Sequence, residues 1–247
     1  PALDPMPAGY VLRQDNWRDT TRGNVDGSAR DDDIDYAILA LHLLETCGRG
    51  YTRSDVAAAW LRLLPYDQVY TAERVTYRNL IRGVPIRSAG EVHNPYREWI
   101  GALIRADVFG YVNPGDPRAA AVLAYEDAAL SHRGNGIYGE QWAAALVAAA
   151  FTAESLVHAV ETSLQHVPPT SRLYEAVSTV LASYRAGDSW EQNLDEAENR
   201  CAGYCWVHTI NNAAVITAGL LYSEEDPAAA IGLTVMAGLD TDSNGAT

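Results

Sequence analysis

From Asp33 onward, apolar residues recur at three- and four-residue spacing, and almost no stretch alternates with period two. A chain patterned in this way folds by packing helix on helix, with no sheet to cover. The first such run is Ile34, Ala37, Ile38, Leu41 and Leu44, ended by Gly48 and Gly50. Ser54-Asp55 opens a second, with Val56, Trp60, Leu61 and Leu64 on its apolar face and Pro65 as its stop. Further helices are predicted over 71–82, 96–108, 119–130, 137–151, 155–165, 171–186, 189–200 and 206–221, with a last one from Asp226-Pro227 to Gly238. Asp116 is placed to cap the helix that Pro117 begins. The alanine-rich segments predict close approach between neighbouring helices, and no fixed-period repeat suggests a solenoid. The 247 residues are 48% hydrophobic, enough for one large domain with a substantial core. Residues 1–30 are rich in Pro, Gly, Asp and Arg and read as an irregular lead-in to that domain.

The charge balance removes some functions. With a formal net charge of -14, the chain would repel a nucleic-acid backbone. A local basic pocket for a small phosphorylated ligand is compatible with that charge, because a local field can oppose the global sign. Every basic residue is arginine. The cysteines, Cys47, Cys201 and Cys205, are odd in number and lack metal spacing, which fits a reducing compartment and no disulfide framework. No apolar run approaches the ~20 residues that span a bilayer. No signal-peptide pattern opens the chain, and a cytoplasmic location is expected.

Two acidic clusters stand at opposite ends of the sequence. One is Asp31-Asp32-Asp33, with Asp35 following, at the start of the first predicted helix. The other is Asp240 and Asp242, one residue apart, with Thr241, Ser243 and Asn244 supplying neutral oxygens. Side chains at i and i+2 of an extended or turning backbone project to one side. Such an oxygen set suits hard divalent cations. If folding brings the two clusters together, the carboxylates require either cations or raised pKa values. The competing reading is a solvated turn at the rear and a capped helix at the front.

Three motifs taken together carry a resemblance: Asp31-Asp32-Asp33 at a helix start, Ser131-His132 with Asn135-Gly136-Ile137-Tyr138-Gly139, and the closing Gly-x-Asp-Thr-Asp-Ser-Asn-Gly-Ala. In this order, from about Thr21 to Thr247, the chain resembles the ADP-ribosylglycohydrolase family. Asn94-Pro95-Tyr96-Arg97-Glu98-Trp99-Ile100-Gly101 and the segment 206–212 resemble a bacterial subgroup of it.

The resemblance implies an all-α fold, a compact multi-helix orthogonal bundle with a dinuclear Mg2+ or Mn2+ site at its centre. Asp32, Asp33, Asp240, Asp242 and Ser243 match ligand positions. Asp31 stands where the family usually has threonine, so a carboxylate replaces a hydroxyl. The implied reaction is hydrolysis of the glycosidic bond between ADP-ribose and an acceptor, a protein side chain or a small molecule. Asp32, Asp33 and Asp242 are the candidate catalytic carboxylates around a metal-bound water. His132, Asn135, Gly136 and Tyr138 are candidates for substrate contact; a loop cap and a tight interhelical turn are the alternatives for His132 and Gly136. Arg105, with the neighbourhood of Asp107 or a phosphate as its candidate partners, is expected to form a buried ion pair, and His208, Asn211 and Asn212 a satisfied interior network, with a pocket wall as the alternative. Family members generally begin with a glycine-rich helix that supplies a further acid, and they continue past the closing motif. The chain therefore reads as trimmed at both ends. Two other readings are a catalytically impaired ADP-ribose-binding or crystallin-like relative and a hydrolase of another nucleoside-like glycoside.

Overall fold

A computed structural model describes residues 31–247; the predicted lead-in, residues 1–30, lies outside the described residues. From Asp32 on, the chain is one unit. Its helices are α1 (Asp32–Cys47), α2 (Arg53–Leu63), α3 (Thr71–Ile81), α4 (Ile86–Ala89), α5 (Asp107–Tyr111), α6 (Pro117–Ser131) and α7 (Asn135–Ala150). They continue as α8 (Leu156–Leu164), α9 (Arg172–Ala186), α10 (Trp190–Arg200), α11 (Thr209–Leu221), α12 (Pro227–Met236) and α13 (Thr241–Ala246). Short 3-10 turns lie at Gly48–Gly50, Tyr66–Gln68 and Ile100–Arg105. Among the described residues there is no strand, only a single bridge between Trp99 and His208. The all-α expectation holds. No described helix is long and apolar enough to cross a membrane.

Several helix starts follow directly from local chemistry. Asp116 accepts a hydrogen bond from the Ala119 amide at 3.0 Å, and Pro117 occupies the first turn of α6. Asp226 accepts from the Ala228 amide at 3.0 Å at the start of α12. The alanines of α6 and α7 form much of the buried contact between those helices. Gly110 lets α5 approach α7 so closely that a Cβ there would lie 2.5 Å from Val147.

Residues 86–89 and 241–246, outside the predicted helices, form α4 and α13, and two further segments depart from the sequence reading. The helix expected over 96–108 is a 3-10 turn over Ile100–Arg105 followed by the short α5. Its backbone groups are committed elsewhere: Ile100 N–H donates to the Val207 carbonyl at 2.9 Å, and Thr209 N–H to the Glu98 carbonyl at 3.1 Å. A regular helix would forfeit these long-range bonds. In α1 the buried face is Tyr36, Leu39, Ala40 and Leu43, whereas Ile38 and Leu41 of the expected stripe are 61% and 47% exposed. The helix is apolar on more than one side. Tyr36 decides which side turns inward, because its ring meets Trp60 and lies under the Arg105 guanidinium.

That guanidinium is the only described cation so fully enclosed, at 2% exposure. Its Nη1 donates to Glu73 at 2.6 Å, its Nε to Asp127 at 2.5 Å, and its Nη2 to Ser131 Oγ at 3.2 Å and Glu140 at 3.4 Å. Gly101 makes room for this: a Cβ there would fall 2.2 Å from the Glu73 carboxylate. Burial opposes the charge on Arg105, but Asp127, Glu140 and Glu73 hold its pKa above the usual value. Three carboxylates share one cation, and burial accordingly raises Glu140 well above the carboxylate range and Glu73 to about 7. The ion pair expected for Arg105 is thus a four-residue cluster, and Asp107 is not one of its partners.

Arg105→Ala leaves buried carboxylates uncompensated and is expected to cost about 3–5 kcal/mol, read from urea unfolding. The pH dependence follows from Glu73. Its proton is kept to about 7 in the fold but leaves near 4.5 once unfolded, so its contribution to stability is full below 4.5 and falls as pH rises toward 7. Glu73→Gln is expected to remove that part of the decline in unfolding midpoints measured between pH 5 and pH 8.

Candidate functional site

The front aspartates lie in the first turn of α1, where carboxylates suit the positive end of the helix dipole. Asp31 is the exposed residue just before it. The rear pair is helical rather than extended. Asp240 is the N-cap residue of α13 and Asp242 lies in its first turn. Gly238 (φ 80°) and Leu239 (φ 67°) bring the chain to this start through two consecutive left-handed residues. Ser243 and Asn244 are buried behind it.

The two ends of the chain meet electrostatically. Asp240 is pushed up to about 7, first by burial, then by a hydrogen bond and repulsion from Asp242, then by repulsion from Asp33 and Asp32. The Asp32 charge also reaches Glu73 and Tyr36, so the aspartates border the Arg105 cluster. As donors these are carboxylate and hydroxyl oxygens, the set hard divalent cations take. Even so, among the described residues no group of three or more His, Cys, Asp or Glu side chains is arranged to hold a metal ion.

Asn212 holds the rear motif in place. It is fully buried, and its Oδ1 accepts from the Asp240 amide at 3.2 Å and from Asn244 Nδ2 at 2.6 Å. Its Nδ2 donates to the carbonyls of Trp206 at 2.9 Å and His208 at 2.8 Å. Asn211 donates to the Cys205 carbonyl, and His208 Nδ1 accepts from the Ile210 amide. The polar stripe on α11 is therefore an interior network, and one member reaches the aspartates.

The residues of the middle motif are largely enclosed. His132 is fully buried, with Nδ1 2.8 Å from Ser131 Oγ and Nε2 3.9 Å from Glu73. Burial, then the Arg105 and Arg133 charges, lower its pKa and keep the ring neutral. Asn135 bonds to Glu98 and accepts from the Leu173 amide at 3.1 Å. At Gly136 a Cβ would meet the Arg97 carbonyl at 2.5 Å and the His132 ring at 2.9 Å, which is the tight interhelical turn. Tyr138 is partly buried against the core.

The sequence reading did not single out Glu98 as a hub. Its carboxylate accepts from the Asn135 amide and side chain, both at 2.9 Å, and from Arg172 at 2.5 Å. Burial pushes the carboxyl up, but these bonds outweigh it and hold the pKa below its ordinary value. Arg172 also donates to Tyr204, whose ring stacks on His208 at 4.3 Å. Its two partners lie 37 and 74 residues away, so no local pattern marks it.

Comparison of the all-α chain with known families places it. The chain belongs to the ADP-ribosylglycohydrolase family, whose pattern matches residues 9–247. No curated protein and no solved structure matches it.

Asn212→Leu should leave the Trp206 carbonyl and two N–H donors, the Asp240 amide and Asn244 Nδ2, without their partner, while the His208 carbonyl keeps the backbone amide of residue 212. Each lost buried partner costs about 1–3 kcal/mol, so thermal unfolding should shift strongly. In hydrogen exchange, the amide of Asp240 should lose protection before the α6–α7 core does.

Proposed function

We propose that the protein is a metal-dependent glycohydrolase that cleaves the glycosidic bond between ADP-ribose and an acceptor, either a protein side chain or a small molecule. The observation that carries this reading is membership of the ADP-ribosylglycohydrolase family over residues 9–247, and the charges of Asp242, Asp33 and Asp32 that raise Asp240 support it. Carboxylates that repel one another favour a bound cation, and family membership supplies the ADP-ribosyl chemistry.

In this reading Asp32, Asp33, Asp240, Asp242 and the Ser243 hydroxyl hold two divalent cations, Mg2+ or Mn2+, with Asp31 as a further candidate ligand. Bound there, the ions supply Lewis-acid stabilisation and an acidified water. The protein's own part is to position and to move protons. A carboxylate of Asp32, Asp33 or Asp242 accepts the proton of the attacking water. Asn212 fixes the start of α13, so that Asp240 and Asp242 keep their placement. Tyr138 is the member of the middle motif with part of its side chain outside the core, and it is the residue we assign to substrate contact. His132, Asn135 and Gly136, the other candidates for substrate contact, are buried beside it in sequence.

Cleavage of ADP-ribosylated model substrates should need Mg2+ or Mn2+ and stop in chelator. Asp242→Asn should lower kcat at least ~100-fold and weaken cation binding in calorimetry. Turnover that survives in chelator overturns the metal assignment. Binding of ADP-ribose and cation without product marks the chain as an impaired relative.

A further inference from the structure

Helix α10 carries two stripes. Trp190, Leu194, Ala197 and Cys201 recur at three- and four-residue spacing and pack on the core. Glu191, Asp195 and Glu198 follow the same spacing one position on, and all are exposed. Both stripes border a cleft of about 510 Å³, and Trp206, Met236 and Leu239 complete much of its lining. Trp206 and Met236 are 58% and 57% exposed, so the cleft offers large apolar surface to solvent beside an acidic rim. No arginine or histidine lines it.

The rim is left without cations. Among the described residues, neither Glu191, Asp195 nor Glu198 forms a salt bridge. Glu191 accepts a bond from Ser189 Oγ at 2.8 Å, within the start of its own helix. The carboxylates are strung along two turns, about 10 Å of helix. A metal ion needs donors that converge on one point, and no group of three described acids does so. A ligand that answers the whole rim carries several cations in a row, with an apolar side for Trp206 and Met236. A polypeptide in which basic and apolar residues alternate has both, because residues two apart stand about 7 Å apart on one side of an extended chain. A second copy of this chain is a poor occupant: it brings the same net charge of -14 to an acidic rim.

We propose that this cleft docks a basic, apolar segment of a partner protein, with its cations on Glu191, Asp195 and Glu198 and its apolar side chains on Trp206 and Met236. Leu239, in the lining, directly precedes Asp240, so a docked segment lies beside the rear aspartates. Docking uses none of Asp32, Asp33, Asp240 and Asp242, so it stands whether or not they hold metal.

The test is fluorescence anisotropy on the full chain in chelator. The probe is a labelled peptide of about twelve residues in which lysine alternates with leucine. It is expected to bind, and versions with glutamine for lysine or serine for leucine at least ~10-fold more weakly. Asp195→Asn with Glu198→Gln, and separately Trp206→Gln, should each weaken the probe at least ~10-fold, while circular dichroism and thermal unfolding stay as in the parent chain. Glu45→Gln with Asp67→Asn removes as much charge from exposed positions elsewhere and should leave the affinity unchanged, which separates the cleft from the general acidity of the chain. No binding of the probe, equal binding of the glutamine version, or parent-like binding by the Asp195 and Glu198 variant overturns the proposal. So does a dimer in sedimentation that Trp206→Gln abolishes, because a second copy is then the occupant. Should Trp206→Gln fail to fold, the serine version decides the apolar half: affinity equal to that of the leucine peptide overturns it.

Discussion

A single guanidinium enclosed among three carboxylates sets the frame for the rest of the molecule. Arg105 ties the 3-10 turn at Ile100–Arg105 to α3 through Glu73, to α6 through Asp127 and Ser131, and to α7 through Glu140. No apolar residue could bridge those elements with the same directionality, because each N–H of the fork has its own acceptor. The arrangement also fixes neighbours that carry no charge. Tyr36 and Trp60 pack their rings on the guanidinium, which orients α1 and therefore the turn that holds Asp32 and Asp33.

The aspartates are positioned by contrast. Negative charge accumulates around Asp240, and the group that fixes its backbone is a neutral amide, Asn212. A carboxylate at 212 would add to the repulsion, and a cation would compete for the same oxygens. An amide offers acceptor and donor at once, so it serves the rear motif and the start of α11 together. Glu98 works in the same economical way, joining the first turns of α7 and α9 and, through Tyr204 and His208, the entry to α11.

How far the sequence could be read depends on the range of each interaction. Caps at Asp116 and Asp226 are legible because donor and acceptor lie within three residues. The aspartate clusters are legible as chemistry, and their order along the chain matches a known family. The helix expected over 96–108 but not formed shows the converse: the Ile100 amide and the Glu98 carbonyl pair with residues about a hundred positions away, and composition holds no trace of that. For α1, spacing gives the helix but not its inward face, since the choice rests on Tyr36 meeting Trp60 and Arg105. The four residues around His132 were legible as a motif, whereas their degree of enclosure depends on Glu73, Arg97 and Glu98.

The closing motif is written with a free position between its glycine and its first aspartate, and Leu239 occupies it. Its backbone sits at φ 67°, a region that side chains branched at Cβ scarcely tolerate. The chemistry of the side chain is open there while the dihedral is not. Over evolutionary drift, that site should accept glycine, asparagine or a flexible unbranched residue and reject valine, isoleucine and threonine. An alignment column that looks permissive thus conceals a geometric filter, and relatives carrying a β-branched residue there would have to reach their aspartates by a different bend.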